Sequence, residues 1–235
     1  MVVRGGNVMK EKVVVIIPAM NEARHIAGVV KGVRKKYKHV IVVDDGSVDT
    51  TAELARRAGA RVVSLPKNMG KGFAMRLGAI EALNDGADVV VFMDGDGQHR
   101  AEDIARFLEA IVEREIVFGK RMPGKMPFIK KVGNWFLRQE FKILFHHEPG
   151  DLLCGFKAVR GSTLEKIMWK ADGYFVETEI AARAGIEKVN AGYIEIPCIY
   201  LEPGKGTTVK DGVNLGLKML KLKTGMLREK DGKNR

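Results

Sequence analysis

Cysteine is nearly absent from this chain, with two residues in 235, Cys154 and Cys198. They lie far apart and match no metal-ligand spacing, which excludes a disulfide framework and a zinc module and leaves the role of small core side chains. Long apolar runs are missing too: Val13–Ile17, closed by Pro18, falls far short of the ~20 residues that span a bilayer. That run is also too short and too β-branched for the apolar centre of a signal peptide, so a cytoplasmic location is expected. Proline is scarce, at 7 residues, whereas 46% of the chain is hydrophobic and charges of both signs run throughout. Such a composition buries enough core to offset backbone entropy, which excludes disorder for most of the length. Only the tail from about Glu229 reads as loose.

The usual nucleotide-binding loops are lacking as well. The turn after the first apolar run is Pro18-Ala19-Met20-Asn21-Glu22, which has no glycine-rich pyrophosphate loop and argues against a dinucleotide fold. Gly70-Lys71-Gly72 has neither the upstream glycine nor the following Ser/Thr of a P-loop, and His146-His147 is not at ligand spacing along a helix face. What the chain does have is an excess of base, 40 Lys+Arg against 29 Asp+Glu for a net charge of +11. This favours an anionic partner without choosing among nucleic acid, a phospholipid surface and a phosphorylated substrate.

Short β-branched runs alternate with stretches of helical spacing, the signature of βα units around a mainly parallel sheet. Strands are expected at Val13–Ile17, Val40–Val43, Arg61–Leu65, Val89–Met93, Glu115–Gly119, Gly155–Val159 and Tyr193–Ile199. Helices are expected at Glu22–Lys35, Thr50–Ala58 behind Asp49 as cap, Phe73–Leu83, Glu102–Val112, Tyr174–Ala184 and around Val213–Leu222. Pro123 to Phe145, with Trp135, Phe136, Phe141 and Phe145 among lysines and arginines, reads as an amphipathic helix. No linker divides the chain, so residues 1–212 form one expected domain, followed at 213–235 by a basic amphipathic helix and loose tail.

Two acidic turns carry the chemistry. Asp94-Gly95-Asp96-Gly97-Gln98-His99 follows the apolar run Val89–Met93. Strand ends of open α/β sheets point into the ligand crevice, where two carboxylates one residue apart converge on a hard cation such as Mg²⁺ or Mn²⁺. The competing role is a turn whose carboxylates cap the helix at Glu102. Asp44-Asp45-Gly46-Ser47 ends another strand, and its two carboxylates project to opposite sides, one to the crevice and one to backbone amides of the turn. Asn21-Glu22 adds a third polar contribution, though a helix N-terminus accounts for it equally well.

Four segments in this order, Pro18-Ala19-Met20-Asn21-Glu22, Asp44-Asp45-Gly46-Ser47, Asn68-Met69-Gly70-Lys71-Gly72 and Asp94-Gly95-Asp96-Gly97-Gln98-His99, resemble the motifs of family 2 glycosyltransferases with the GT-A fold. Gly119-Lys120-Arg121, Gly133-Asn134, the run from Asp151 to Lys157, the run from Gly173 to Glu179 and Glu195-Ile196-Pro197 are similar to the polyprenyl- or dolichyl-phosphate mannose and glucose synthase branch. The resemblance spans Lys12 to Gly212. It departs from that branch at Tyr200–Thr208, where Lys205 or Lys210 would have to supply a cation that relatives take from an arginine and a Gly-x-Ser-Lys loop, and it lacks the transmembrane helices of many relatives.

The resemblance implies a metal-dependent inverting transfer from UDP-glucose, UDP-N-acetylglucosamine or GDP-mannose to a polyprenyl or dolichyl phosphate. By the same resemblance Pro18, Ala19, Asn21, Glu22, Asp45 and Gly46 hold the nucleoside, and Lys71 and Gly95 contribute to donor binding. Asp94, Asp96 and Gln98 then hold Mg²⁺ or Mn²⁺ with the diphosphate. Arg121, Lys130, Lys131 and Lys205 are the expected acceptor-phosphate cations. Asp151 and Glu179 are the expected bases if the acceptor is a hydroxyl, with loop ordering as the alternative for Asp151, while Glu177 is assigned to solvent or to support of the site. The amphipathic stretches suit a membrane interface, core packing or a partner helix, so a peripheral position on the cytoplasmic membrane face is expected and the oligomeric state is open. A sugar nucleotidyltransferase needs a glycine-rich loop where Pro18–Glu22 stands. A nucleic-acid-binding domain would be repelled by Asp94 and Asp96, so no nucleic-acid partner is expected.

Overall fold

The computed structural model describes residues 11–122, 128–146, 150–152, 154–197 and 209–233. Cys198 and Lys205 lie outside the described residues, as do residues 123–127 of the expected basic helix. Seven strands form one sheet in the order β3-β2-β1-β4-β6-β5-β7: β1 Val13–Ala19, β2 His39–Asp44, β3 Arg61–Ser64, β4 Val89–Phe92, β5 Ile116–Arg121, β6 Lys157–Arg160 and β7 Ala191–Ile196. All pairings are parallel except those of β6, which runs against β4 and β5. The sheet matches the expected α/β class with a mainly parallel sheet flanked by helices.

Central strands are covered on both faces, which is why they read as unbroken apolar runs. Along β1, Val14 and Ile16 enter one core with Ala74, Met75 and Ala79 of helix α3 (Lys71–Asn84). Val15 and Ile17 enter the other, with Val29, Val30 and Val33 of α1 (Ile26–Arg34) and Phe107 of α4 (Ile104–Ala110). Between α1 and α3 lies α2 (Thr51–Arg57), whose Ala55 joins the second core. The first core also takes Phe141 and Phe145 from α5 (Phe128–Phe145), Leu164 from α6 (Gly161–Lys166), Ile180 from α7 (Val176–Ile186), and Met219 and Met226 from α8 (Val209–Lys233). Each such side chain contributes roughly 1.5–3 kcal/mol by leaving water.

The chain leaves β1 toward β2 and β3 and then returns to place β4 on the other side of β1, and such a reversal is where open α/β sheets bind ligands. The ladder between β1 and β4 ends at Ile16↔Phe92, whereas that between β1 and β2 continues to Ala19↔Asp44. Met93 N donates to Ile16 O, so Ile16, and two residues on Pro18, point their backbone groups toward β4. A proline therefore stands where an amide would face an opened ladder with no acceptor to meet.

Three expectations shift. β7 begins at Ala191 and ends at Ile196, two residues ahead of Tyr193–Ile199 at its start. The short α6 was not expected, and α8 continues helical to Lys233, correcting a loose tail from Glu229: the polar residues there follow the helix already begun.

Cys154 is buried in the second core. Burial, helped by the nearby Asp151 carboxylate, pushes its thiol up to about 12. At pH 8 its thiolate fraction is then on the order of one in ten thousand. In a Cys198→Ala background, we expect native protein to resist dithiobis-nitrobenzoate and to react once guanidinium unfolds it; rapid labelling of the native form would contradict the burial.

Candidate active site

Four turns meet where the β1–β4 ladder opens. The β1–α1 turn is bound to the β2–α2 turn by backbone: Asn21 N donates to Ser47 Oγ at 2.9 Å, Val48 N donates to Asn21 Oδ1 at 2.9 Å, and Glu22 N donates to Thr51 Oγ1 at 2.8 Å. Asn21 sits at φ 55°, a left-handed conformation asparagine tolerates. Asp49 accepts from Thr51 N at 3.0 Å, so it holds the start of α2 from one residue ahead of the cap position, which Thr50 and not Asp49 occupies.

Asp44 and Asp45 are both buried. Asp44 Oδ1 accepts from Ser47 N at 3.2 Å, and Asp45 accepts from Met69 N at 2.7 Å and Gly70 N at 2.9 Å. Two amide bonds to one carboxylate hold the loop that starts α3. Gly70 is required there: its φ is +99°, and a Cβ would come within 2.4 Å of Asp172 O. The loop thereby delivers Lys71, the first residue of α3, to the end of β4.

Asp94 meets Lys71 there. Lys71 Nζ lies 2.7 Å from Asp94 Oδ1 and 3.0 Å from Glu177 Oε1, and His99 Nε2 lies 3.7 Å from Asp94 Oδ2. Glu177 Oε2 also pairs with Lys157, whose Nζ donates to Gly155 O at 3.1 Å. Lys157 is 1% exposed and Glu177 4%. Burial would raise the Asp94 carboxyl, yet the Lys71 ammonium and His99 outweigh it and hold the group well below the usual carboxylate range. Burial would lower Lys71, yet Asp94 and Glu177 hold it above the ordinary lysine range. Both stay ionised across the neutral range. Asp94 also lies so close to residue 155 that a Cβ there would come within 2.3 Å of Oδ2, which requires glycine. Asp96 Oδ1 accepts from Gln98 N at 3.0 Å.

Lys71, Asp94 and Asp96 border a cavity of about 220 Å³. Of the residues anticipated from sequence, it brings together Pro18, Ala19, Glu22 and Asp45 on one side and Lys71, Asp94, Gly95 and Asp96 on the other. Asn21, Gly46 and Gln98 do not border it. Met20, Asn68 and the 79% exposed Tyr174 also border it. Among the described residues no cluster of three metal-ligating side chains occurs. Two carboxylates one residue apart fit a hard cation that takes its other ligands from water and substrate phosphates, and do not fit one caged by protein alone.

Arg121, Asp151 and Glu179 do not border this cavity. Arg121 forms a two-pronged pair with Asp151, Nε to Oδ2 at 2.7 Å and Nη2 to Oδ1 at 3.0 Å. Glu179 accepts from Lys170 N at 3.0 Å, Ala171 N at 2.7 Å and Arg183 Nε at 2.7 Å, so it orders the loop before α7. Lys130 and Lys131 fall within α5, and Lys205 lies outside the described residues. Sequence reasoning undervalued Glu177 and passed over Lys157 and His99. The available signal was Lys157 itself, a charge between Phe156 and Ala158 in the middle of the expected strand Gly155–Val159. A second cavity, of about 460 Å³, opens around Glu11, Asp88, Arg114, Glu115 and Arg160, where β4 and β5 begin, and Asp45, Asp94 and Asp96 do not border it. Arg160 there is paired with Glu11.

Known proteins resemble this chain over most of its length. The chain is 31% identical to the UDP-N-acetylglucosamine–dolichyl-phosphate N-acetylglucosaminyltransferase of Methanococcus voltae, over 92% of this chain and 98% of that one. It is 28% identical to the polyprenol monophosphomannose synthase of Mycolicibacterium smegmatis, over 90% and 86%. The fold superposes on glucosyl-3-phosphoglycerate synthase from Mycobacterium tuberculosis with a TM-score of 0.71 at 20% identity, over 91% of this chain and 78% of that one. Residues 14–164, which span β1 through β6, match the family described as Glycosyl transferase family 2, and the chain belongs to that family of glycosyltransferases.

Proposed function

We propose that this glycosyltransferase moves a sugar from a nucleotide-sugar donor to a polyprenyl or dolichyl phosphate at a membrane surface, aided by Mg²⁺ or Mn²⁺. The observation that carries the reading is the convergence of Asp94, Asp96 and Lys71 on one strand-end cavity. The names of the Methanococcus and Mycolicibacterium relatives support the lipid-phosphate acceptor. A neighbouring fold solved with Mn²⁺ and UDP-glucose supports a divalent cation and a nucleotide-sugar.

Pro18, Ala19, Glu22 and Asp45 face the nucleoside, and Lys71, Asp94 and Asp96 face the diphosphate. A cation bound by Asp94 and Asp96 would neutralise the departing diphosphate. The acceptor phosphate oxygen attacks the anomeric carbon from the face opposite the leaving group, so the new C–O bond forms as the bond to the diphosphate breaks and the configuration inverts. A phosphate oxygen is already anionic at neutral pH and needs no base, so positioning and charge stabilisation dominate. The engagement of Asp151 by Arg121 and of Glu179 by the 170–171 loop supports such an acceptor over a hydroxyl. Lys130, Lys131 and Lys205 are the cations proposed for the acceptor phosphate, and Arg121 joins them only by giving up its pair with Asp151.

No helix among the described residues is long and apolar enough to cross a membrane. Yet α5 packs on α8, and both leave large apolar side chains in solvent: Trp135 at 55%, Phe136 at 62% and Ile143 on α5, Leu217 and Leu220 on α8. Phe136 and Ile143 share a helix face, opposite the buried Phe141 and Phe145. With Lys142, Lys218 and Lys221 also exposed, this pair suits an anionic lipid surface.

Two measurements follow. In a panel of UDP- and GDP-sugars with Mn²⁺ or Mg²⁺ and a short polyprenyl phosphate, one donor should support lipid-dependent turnover. That turnover should fall at least ~100-fold in Asp96→Ala, and in Gly155→Ala, where the new methyl displaces the Asp94 carboxylate. Turnover only with sugar hydroxyls would replace the proposed acceptor. In sedimentation with vesicles, the protein should partition to phosphatidylglycerol more than to phosphatidylcholine, less so in high salt, and Trp135→Ser/Phe136→Ser should lower partitioning several-fold; equal partitioning of the variant would refute the lipid-facing role.

A further inference from the structure

Lys71 is shared between two carboxylates at nearly equal distances, 2.7 Å to Asp94 and 3.0 Å to Glu177. Only Asp94 borders the cavity; Glu177 lies behind it, on α7, and divides itself in turn between Lys71 and the buried Lys157. The four groups balance as two positive and two negative charges. If Lys71 had Asp94 alone, its ammonium would compete directly with any cation approaching that carboxylate, and surrendering Asp94 would strand a charge in a poorly hydrated wall.

We propose that Glu177 is a positioning residue that acts through Lys71: by keeping a second counter-charge on the ammonium, it frees the Asp94 carboxylate to serve a divalent cation. The inference rests on the functional reading above and adds to it a supporting residue from outside the cavity. Lys157 sets how much of Glu177 is left for Lys71, since both ammonium groups draw on one carboxylate. The two substitutions therefore have opposite signs. Removing the charge of Glu177 throws Lys71 entirely onto Asp94 and leaves an extra positive charge near the cation. Removing Lys157 gives Glu177 wholly to Lys71.

The test is Mn²⁺ binding, followed by the electron paramagnetic resonance signal of free Mn²⁺, with UDP in one arm and GDP in the other and thermal unfolding measured alongside. Glu177→Gln should weaken Mn²⁺ binding by about tenfold or more, the scale of lost outer support around a metal ligand. Lys157→Met should bind Mn²⁺ at least as tightly as the parent chain. Lys157→Met/Glu177→Gln, which removes both members of the buried pair and restores folding if the single charge change impairs it, should keep the tenfold loss. A folded double variant that binds Mn²⁺ like the parent chain would overturn the inference, as would a loss in Lys157→Met alone. Failure of the parent chain to take up Mn²⁺ with either nucleotide would instead sink the underlying site reading, and this inference with it.

Discussion

The structure turns on the burial of one lysine. Lys157 begins the single reversed strand, pairs in register with Phe92 of β4 and Phe118 of β5, and has its ammonium inside the protein. An unpaired ammonium there would cost more than most single contacts return, and breaking such a pair costs about 3–5 kcal/mol against a total stability of roughly 5–15 kcal/mol. Glu177 must therefore come to it, which constrains the rotation of α7; Lys71 must come to Glu177, which fixes the start of α3; and Asp94 completes the set at the end of β4. One desolvated charge thus ties β6, α7, α3 and β4 together at the edge where the sheet opens.

The strands were legible because central strands of this sheet are apolar on both faces and short, so their runs stand out between helical stretches. Ends were less so. β7 lies at the sheet margin with little of it buried, and a half-exposed strand with a glycine carries a weak pattern. Six-residue α6 is too short for helical periodicity to show. The site divides in the same way. Carboxylates at strand ends are readable because topology alone aims them at the crevice, and Asp94, Asp96 and Asp45 all reach it.

Glu177 and Glu179 show where such reading stops. They sit two residues apart on one helix, about 200° around its axis, so one must face the site and the other turn away. Local sequence does not show the rotation of α7; it depends on partners outside the helix, Lys157 twenty positions upstream for Glu177 and the amides of Lys170 and Ala171 for Glu179. Arg121 and Asp151 are a related case. Each alone reads as a reactive group, and only the antiparallel return of β6 beside β5 lets one neutralise the other.

Asp45 has a consequence for how such an enzyme diversifies. Asp45 borders the strand-end cavity and at the same time its carboxylate anchors the amides of Met69 and Gly70. A substitution there cannot retune ligand preference without also releasing the loop that presents Lys71, so this position is closed to gradual change. Asn68 shares that duty, since its Oδ1 also accepts from Gly70 N at 2.9 Å, and Met20 Sδ accepts from Asn68 Nδ2 at 3.0 Å, whereas Tyr174 borders the same cavity and projects into solvent. The wall is thus divided into a part frozen by folding and a part open to variation, and change in what the cavity accepts has to proceed through the second.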